Sequence, residues 1–367
     1  MSGSIFGKLF TVSTWGESHG KALGVVVDGC PSGIFLSEED IQKELDKRKP
    51  GSNPYSTKRQ ENDEVHILSG VFEGKTTGTP ISMLVYNKDH HSSDYSEIAS
   101  YYRPGHADYT FDKKYGIRDY RGGGRSSGRE TLCRVAAGAI AKKILSTLQI
   151  DLFAYTKSIG NITVSEENFH KEHISKNKLL MPDNETAELA EIYLQQCIKE
   201  QDSAGGIIEC VVSNLPIGIG EPVFDKLQSV LGQALFSIGA VKGVEFGDGF
   251  SVSKLKGSQN NDAFFADENG NIQKKSNHSG GILGGISDGS PLVFRLAFKP
   301  TPSIYKTQQT ITKYGENINI NIKGRHDPII VPRAVVVVEA MTAIAIVDLL
   351  FQNMVSNINS IINFYQL

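Results

Sequence analysis

Residues 118–130 read RDYRGGGRSSGRE, and an apolar helical repeat begins where this segment ends. The segment places four arginines around three consecutive glycines and two serines. Glycines let the backbone approach a ligand closely, and serine hydroxyls and N–H groups at a helix start bind phosphate. Arginine binds phosphate or carboxylate through paired hydrogen bonds. The segment therefore predicts a pocket for several anionic groups. A solvent-exposed Arg/Gly loop and an RGG-like nucleic-acid segment are the alternatives.

Residues 130–148 give the clearest helical pattern in the chain, because an apolar side chain recurs every four positions. The small residues at 136–139 favour close packing of this helix against another. Helical patterns also cover residues 38–48, 184–199, 222–238 and 333–351, and strand patterns cover residues 8–13, 23–28, 66–71, 80–86, 207–212, 290–298 and 318–322. The residues alone leave open whether these α and β elements form one domain or two.

The charge of the chain is locally positive although the whole protein is acidic. The 367 residues carry a formal net charge of −3, and 39% of them are hydrophobic, as in an ordinary globular protein. Residues 103–134, in contrast, contain eight Arg or Lys and four Asp or Glu. This distribution favours a small anionic ligand over nucleic acid or an anionic membrane.

Cysteine usage and the N-terminal sequence favour a cytoplasmic location. The four cysteines show no CxxC spacing, so we expect buried free thiols in a reducing compartment. Residues 1–4 show no signal-peptide pattern. The apolar residues 334–351 are interrupted by Glu339, Thr342 and Asp348, which predicts a buried core helix instead of a membrane span.

Four further polar blocks accompany the arginine segment. They are TWGESHG at residues 14–20, RPGHAD at 103–108, KPTP at 299–302 and KGRHDP at 323–328. Together with residues 118–130, and in this order, they closely resemble the chorismate synthase family over about residues 7–350. The resemblance implies an α+β fold with helices packed between antiparallel sheets, one domain over residues 1–367, and a homotetramer.

The resemblance also implies a reaction. In this family 5-enolpyruvylshikimate 3-phosphate loses phosphate and a proton to give chorismate, and reduced FMN is required although nothing is oxidised overall. No separate flavin-reductase motif is present, so we expect an external flavin reductase, with NADPH as the candidate upstream source of reducing equivalents. A flavin-dependent oxidoreductase acting on a phosphorylated sugar acid is the alternative, and it differs by consuming a stoichiometric reductant.

Three residues match the catalytic positions of the family. His19, with Ser18 beside it, is the candidate acid for the departing phosphate, because the unperturbed histidine pKa of about 6.5 lies near working pH. His106 is the candidate that protonates or steadies the reduced flavin, with Asp108 orienting it. Asp327 matches the aspartate that helps to relay the proton. A structural loop histidine and an Asp-Pro turn are the alternative interpretations of these positions.

The anion-binding and flavin-binding positions of the family also have matches. Arg48, Arg125, Arg129 and Arg325 are predicted to clamp anions. Ser18, Arg48 and Arg129 are the predicted substrate contacts, and Arg48 is also the position of an NADP contact. The flavin-binding positions are Arg48, Arg125, Ser126, Ser127, Gly239, Ala240, Gly284, Lys299, Pro300, Thr301, Pro302, Ser303 and Arg325. No histidine spacing typical of a metal site occurs in the sequence.

Five positions depart from the residues common in the family. Gly128 replaces an alanine and Trp15 a phenylalanine, and we expect both to be tolerated; the other three bear on binding. Pro54 replaces an arginine, which removes one substrate or NADP contact. Gly239 replaces an asparagine and removes a side-chain hydrogen bond. Pro302 replaces a serine and removes a backbone donor near the expected flavin site.

Overall fold

The computed structural model describes residues 3–49, 62–87, 97–322 and 327–366. Its helices are α1 Glu38–Arg48, α2 Asp108–Tyr115, α3 Thr131–Thr147, α4 Asn184–Lys199, α5 Leu227–Phe236, α6 Gly257–Asn260, α7 Val331–Asn353 and α8 Ile358–Tyr365. Its strands are β1 Ile5–Phe6, β2 Thr11–Gly16, β3 Ala22–Asp28, β4 Val65–Ile67, β5 Val71–Phe72, β6 Lys75–Thr76, β7 Ile81–Tyr86, β8 Asp151–Ile159, β9 Ile162–Thr163, β10 Gly206–Ser213, β11 Val241–Phe246, β12 Phe264–Ala266, β13 Ile272–Lys274, β14 Ile282–Leu283, β15 Ile286–Ser287, β16 Leu292–Phe298, β17 Gln308–Ile311 and β18 Asn317–Ile320.

Two five-stranded antiparallel sheets enclose a layer of helices. The first sheet has the order β1-β2-β3-β7-β4 and the second the order β11-β16-β10-β8-β9. Helices α1 and α3 pack on the first sheet, α5 and α7 pack on the second, and α3 contacts α7 between them. Apolar side chains from both sheets and all four helices form one continuous core. The predicted α+β sandwich is therefore confirmed.

Helix α3 matches the helix predicted from its periodicity. Leu132, Ala136, Ile140 and Ile144 are buried, whereas Leu148 follows the last turn and is 52% exposed. Gly138 faces α7 so closely that a β-carbon added to it would lie 2.3 Å from Cβ of Ala340. The run of small residues thus sets the distance between the two helices at the centre of the molecule.

Helix α7 is long and apolar enough to cross a membrane, but it is a core helix of this fold. In its most apolar 18-residue window, 83% of the residues are buried inside the protein. The polar side chains that interrupt its apolar sequence have partners: Glu339 pairs with Lys142, and the Thr342 hydroxyl donates to the Val338 carbonyl at 2.7 Å. Asp348 Oδ1 accepts the backbone N–H groups of residues 8, 9 and 10 at 2.7–2.9 Å. The polar interruptions therefore mark tertiary contacts.

Several predicted boundaries shift because of local backbone geometry. The strand predicted at residues 8–13 begins at Thr11, since the preceding N–H groups bind Asp348. The strand predicted at 66–71 divides into β4 and β5, with Gly70 between them at φ +80°. The helix predicted at 222–238 begins only at Leu227, because Val223 adopts φ +71°. All four cysteines are buried and free, as predicted.

Candidate active site

A cavity of about 830 Å³ brings the predicted blocks together. That volume lies within the usual range for a small-molecule site. In the part of the chain that the structure describes, seven cationic side chains line it: Arg48, Arg103, Arg118, Arg125, Arg134, Lys299 and Arg333. Among the described residues, three carboxylates line it: Asp108, Glu130 and Asp327. The cavity of an acidic protein is therefore positively charged, which suits an anionic ligand.

Most of the predicted site residues line this cavity. They are His19, Arg48, His106, Arg125, Ser126, Ser127, Gly239, Ala240, Lys299, Thr301, Pro302, Ser303 and Asp327. Ser18 and Arg129 lie beside it: the Ser18 hydroxyl is 3.0 Å from Nδ1 of His19, and the Arg129 backbone N–H donates to the Ser127 hydroxyl at 3.3 Å. Pro300 packs near Gly205, and Gly284 lies in the β14–β15 hairpin, so neither lines the cavity. Pro54 and Arg325 fall outside the described residues.

His19 lies in the turn between β2 and β3. Its Nδ1 is 3.0 Å from the Ser18 hydroxyl. A β-carbon on Gly122 would lie 2.0 Å from the same nitrogen, so the glycine run of the arginine segment makes room for this ring. Asn87 Nδ2 donates to the carbonyls of Glu17 at 3.1 Å and Gly20 at 2.8 Å, which holds the turn from both sides.

His106 is a neutral histidine held at both ring nitrogens. Nδ1 lies 2.9 Å from the Pro104 carbonyl, which only accepts, so Nδ1 carries the proton. Nε2 lies 2.9 Å from the Ser303 hydroxyl and accepts from it in this tautomer. Burial lowers the pKa of His106 to about 4, and the charge of Arg103 adds to the decrease. Nε2 of His106 is therefore unprotonated and accepts a hydrogen bond from the 299–303 segment.

The prediction that Asp108 orients His106 is wrong. The Asp108 carboxylate accepts from Arg103 Nε and Nη2, each at 2.8 Å, and from the Arg103 backbone N–H at 3.0 Å. Arg118 Nη1 lies 3.2 Å from the same carboxylate. Burial alone would raise the pKa of Asp108, but the hydrogen bonds and charges of the two arginines outweigh it and lower the pKa. Asp108 instead fixes two arginines of the cavity wall.

Arg48 and Arg129 share one buried carboxylate. Arg48 Nη2 donates to Asp63 Oδ2 at 2.5 Å, and Arg129 Nη1 donates to Asp63 Oδ1 at 2.8 Å. Arg129 Nε also donates to Asn87 Oδ1 at 2.6 Å. The Asp63 side chain is completely buried. The two predicted substrate arginines are therefore held at a fixed separation.

Asp327 is held by the first turn of α7. Arg333 Nη1 donates to Asp327 Oδ2 at 2.6 Å, and Arg333 Nε donates to the Arg48 carbonyl at 3.1 Å. Burial lowers the pKa of Arg333, while the charge of Asp327 opposes the decrease. Arg333 therefore connects the predicted catalytic aspartate to the end of α1.

Known proteins resemble the chain over its whole length. A family model described as chorismate synthase matches residues 10–351. The chain belongs to the chorismate synthase family. The chorismate synthases of Lachnoclostridium phytofermentans and Agathobacter rectalis are 64% and 61% identical to it over 366 residues, covering 100% of each chain. A crystal structure of chorismate synthase superposes with a TM-score of 0.78 at 31% identity, over 98% of this chain and 97% of that one. The chain is thus an enzyme of the lyase class.

One predicted flavin contact of the chorismate synthase pattern has a different role in this structure. Arg125 lines the cavity, but its guanidinium donates to the Gly16 carbonyl at 3.1 Å and to the Thr14 carbonyl at 3.2 Å. It also donates to the Thr14 hydroxyl at 2.7 Å. These donors hold the end of β2, so the prediction that Arg125 clamps an anion directly is not matched by the geometry.

Chorismate synthases are generally flavin-dependent, and the 299–303 segment fits a polar, planar ligand. Thr301 lines the cavity, and its buried hydroxyl has no hydrogen-bond partner in the described protein. Lys299 Nζ donates to the Gly105 carbonyl at 2.9 Å, and Pro302 lies so close to Gly105 that a β-carbon there would be 2.7 Å away. A β-carbon added to Gly239 would have no atom within 4 Å. The residues present fit a flavin, because the Thr301 hydroxyl offers such a ligand a hydrogen-bond partner in the cavity.

Sequence reasoning missed Asp63 and Arg333. Asp63 stands in a polar stretch between α1 and β4 without a motif around it, and Arg333 is one basic residue at the start of an apolar helix. The signal that could have found them is charge balance, since predicted buried arginines require partner carboxylates and a predicted buried aspartate requires a cation.

The neutral state of His106 gives a testable dependence of stability on pH. Because its folded pKa is about 4 and its unfolded value 6.5, the unfolded chain takes up the proton first, and stability falls as pH decreases through this interval. We expect the free energy of unfolding to drop about 2 kcal/mol further between pH 7 and pH 5 in the wild type than in His106→Asn. Urea denaturation at both pH values measures this difference.

The exposed residue His170 supplies the control for that experiment. It lies outside the cavity and is 53% exposed. His170→Asn should leave the pH dependence of the wild type unchanged. Identical pH dependence in the wild type and in His106→Asn would show that His106 is not held neutral by the fold.

Proposed function

We propose that this enzyme converts 5-enolpyruvylshikimate 3-phosphate to chorismate and phosphate with bound reduced FMN. The observation that carries the proposal is the convergence of His19, His106 and Asp327 on one positively charged cavity. A substrate with a phosphate and two carboxylates requires such a surplus of cations. The cavity wall provides this surplus of positive charge, because its arginines outnumber its carboxylates among the described residues. Each carboxylate of the described wall is also paired with an arginine, so none of these is left buried without a partner.

Each of the three residues has a distinct task in this proposal. Protonated His19 donates to the departing phosphate oxygen, where negative charge increases most. Neutral His106 keeps its proton on Nδ1 and presents Nε2 as a hydrogen-bond acceptor toward the 299–303 segment. Asp327, paired with Arg333, carries the substrate proton away from the site.

The FMN site is proposed to include Ser126, Ser127, Ala240 and the 299–303 segment, which surround the cavity beside His106. Reduced flavin held by these residues would lend an electron and regain it within the same turnover, so the reaction would have no net redox change. The protein binds the anionic substrate and the anionic flavin side by side and excludes water from both.

The domain organisation, assembly, cellular location and source of reduced flavin are proposed from the family resemblance. It comprises a single domain, a homotetramer, a cytoplasmic location, and an external reductase that regenerates reduced FMN from NADPH. Arg48 is the proposed NADP contact. The tetramer is testable by light scattering, and a monomer at micromolar concentration would contradict it.

The deciding experiment is an anaerobic assay with 5-enolpyruvylshikimate 3-phosphate and chemically reduced FMN. Chorismate and phosphate are followed together with the flavin absorbance. Equal release of both products with the flavin still reduced supports the lyase. Stoichiometric flavin oxidation would support the flavin-dependent oxidoreductase on a phosphorylated sugar acid instead. Turnover sustained by NADPH and FMN alone would contradict the external reductase.

A further inference from the structure

We infer that Asp63 is a positioning residue for anion binding, which sets the separation of Arg48 and Arg129; as it concerns substrate binding, this inference rests on the proposed function. The Asp63 side chain is completely buried, yet it lines no part of the cavity. Both of its oxygens are used, one by each arginine. Asp63 acts on the ligand through these arginines.

The backbone at Asp63 is consistent with a functional constraint. Its φ is +45°, in the left-handed region that few residues other than glycine adopt. Aspartate and asparagine tolerate this region better than most side chains. A residue held there by burial and two ion pairs has its carboxylate fixed in direction as well as in place.

Asp63 also lies at the centre of a series of contacts through the site, in which hydrogen bonds alternate with the covalent frame of the residues that they join. On one side, Arg129 binds Asn87, and Asn87 binds the two carbonyls that flank Ser18 and His19. On the other side, the backbone carbonyl of Arg48 accepts from Arg333, which binds Asp327. The candidate acid and the candidate proton acceptor are therefore linked through Asp63.

Substitution of Asp63 by asparagine distinguishes a role in positioning the two arginines from a purely electrostatic effect of its negative charge. If Asp63 only reduced the positive charge of the site, its removal would strengthen binding of an anion. If Asp63 positions the arginines, its removal should weaken binding, because the asparagine NH2 group faces one guanidinium as a second donor and that arginine moves. The two explanations predict opposite signs. Asparagine keeps the size of the side chain and tolerates the backbone angle, so the change is local.

The experiment measures two quantities on wild type, Asp63→Asn, Asp63→Glu and the control Asp151→Asn, whose exposed carboxylate pairs with Lys171. The first is the rise in melting temperature produced by inorganic phosphate, which reports anion binding without turnover. The second is KM and kcat for 5-enolpyruvylshikimate 3-phosphate with reduced FMN. We expect Asp63→Asn to raise KM about tenfold or more, with a smaller change in kcat, and to lose the phosphate response.

The other variants complete the test. Asp63→Glu keeps the charge but displaces the carboxylate by one methylene, so its KM should lie between those of wild type and Asp63→Asn. A wild-type KM for Asp63→Glu would overturn the inference. This result decides the question even where Asp63→Asn does not fold. Asp151→Asn should match the wild type. Equal or tighter binding of phosphate and substrate by folded Asp63→Asn overturns it too. A wild type that makes no chorismate removes the proposed function, while the phosphate response still decides the role of Asp63.

Discussion

Replacement of His19 by alanine should lower kcat on the order of 100-fold while the protein remains folded. The imidazole lines the cavity in a turn that Asn87 holds on both sides, so the ring is removed without loss of the turn. General acid catalysis by a positioned side chain contributes roughly 10²–10⁴-fold, and the lower end applies when water can substitute. Initial rates of chorismate release under anaerobic conditions, together with the melting temperature, measure the effect.

His170→Ala serves as the control for this prediction, because it removes an exposed histidine that does not line the cavity. Its rate should equal that of the wild type. A folded His19→Ala protein with a near-normal rate would remove His19 from the mechanism. An equal loss in both variants would point to a general effect of the substitution.

Substitution of Gly138 by alanine should destabilise the fold by about 3 kcal/mol, at the upper end of the usual cost of overpacking. The added β-carbon would lie 2.3 Å from Cβ and 2.6 Å from Cα of Ala340, and neither atom belongs to a flexible side chain. The helices α3 and α7 must therefore move apart at the centre of the core. Urea denaturation of both proteins gives the difference directly.

Gly232→Ala is the matched control, because Gly232 also lies within a helix but has no atom within 4 Å of an added β-carbon. That change should stabilise the protein by up to about 1 kcal/mol, since alanine favours the helix and reduces the entropy of the unfolded chain. The same sign of change in both variants would contradict the packing argument.

The elements that could be predicted from the sequence are those with local signals. Helix α3 follows from its four-residue repeat, and α1 begins directly after Ser37, whose hydroxyl forms a capping box with Asp40. The convergence of His19, His106 and the 299–303 segment was expected only from the family resemblance. Their short polar blocks lie at turns and helix starts, where the fold brings chain segments together.

The features that could not be predicted depend on long-range pairing and side-chain direction. Arg125 stands among residues typical of an anion site, but its guanidinium binds the end of a strand more than 100 positions away in sequence. Asp63 and Arg333 acquire their roles only from the arginines and carboxylate that the fold places beside them. Composition identifies the residue types in such a cluster but not which charges form pairs.

The contact between Asp348 and the N–H groups of residues 8–10 has a consequence for biosynthesis. It joins positions about 340 residues apart, and α7, which carries Asp348, supplies the middle of the core. On the ribosome, the first sheet is complete long before this helix is translated. Nearly the whole chain must therefore be synthesised before the core can close, and the apolar faces of the sheets, which α7 does not yet cover, need protection from aggregation during that interval.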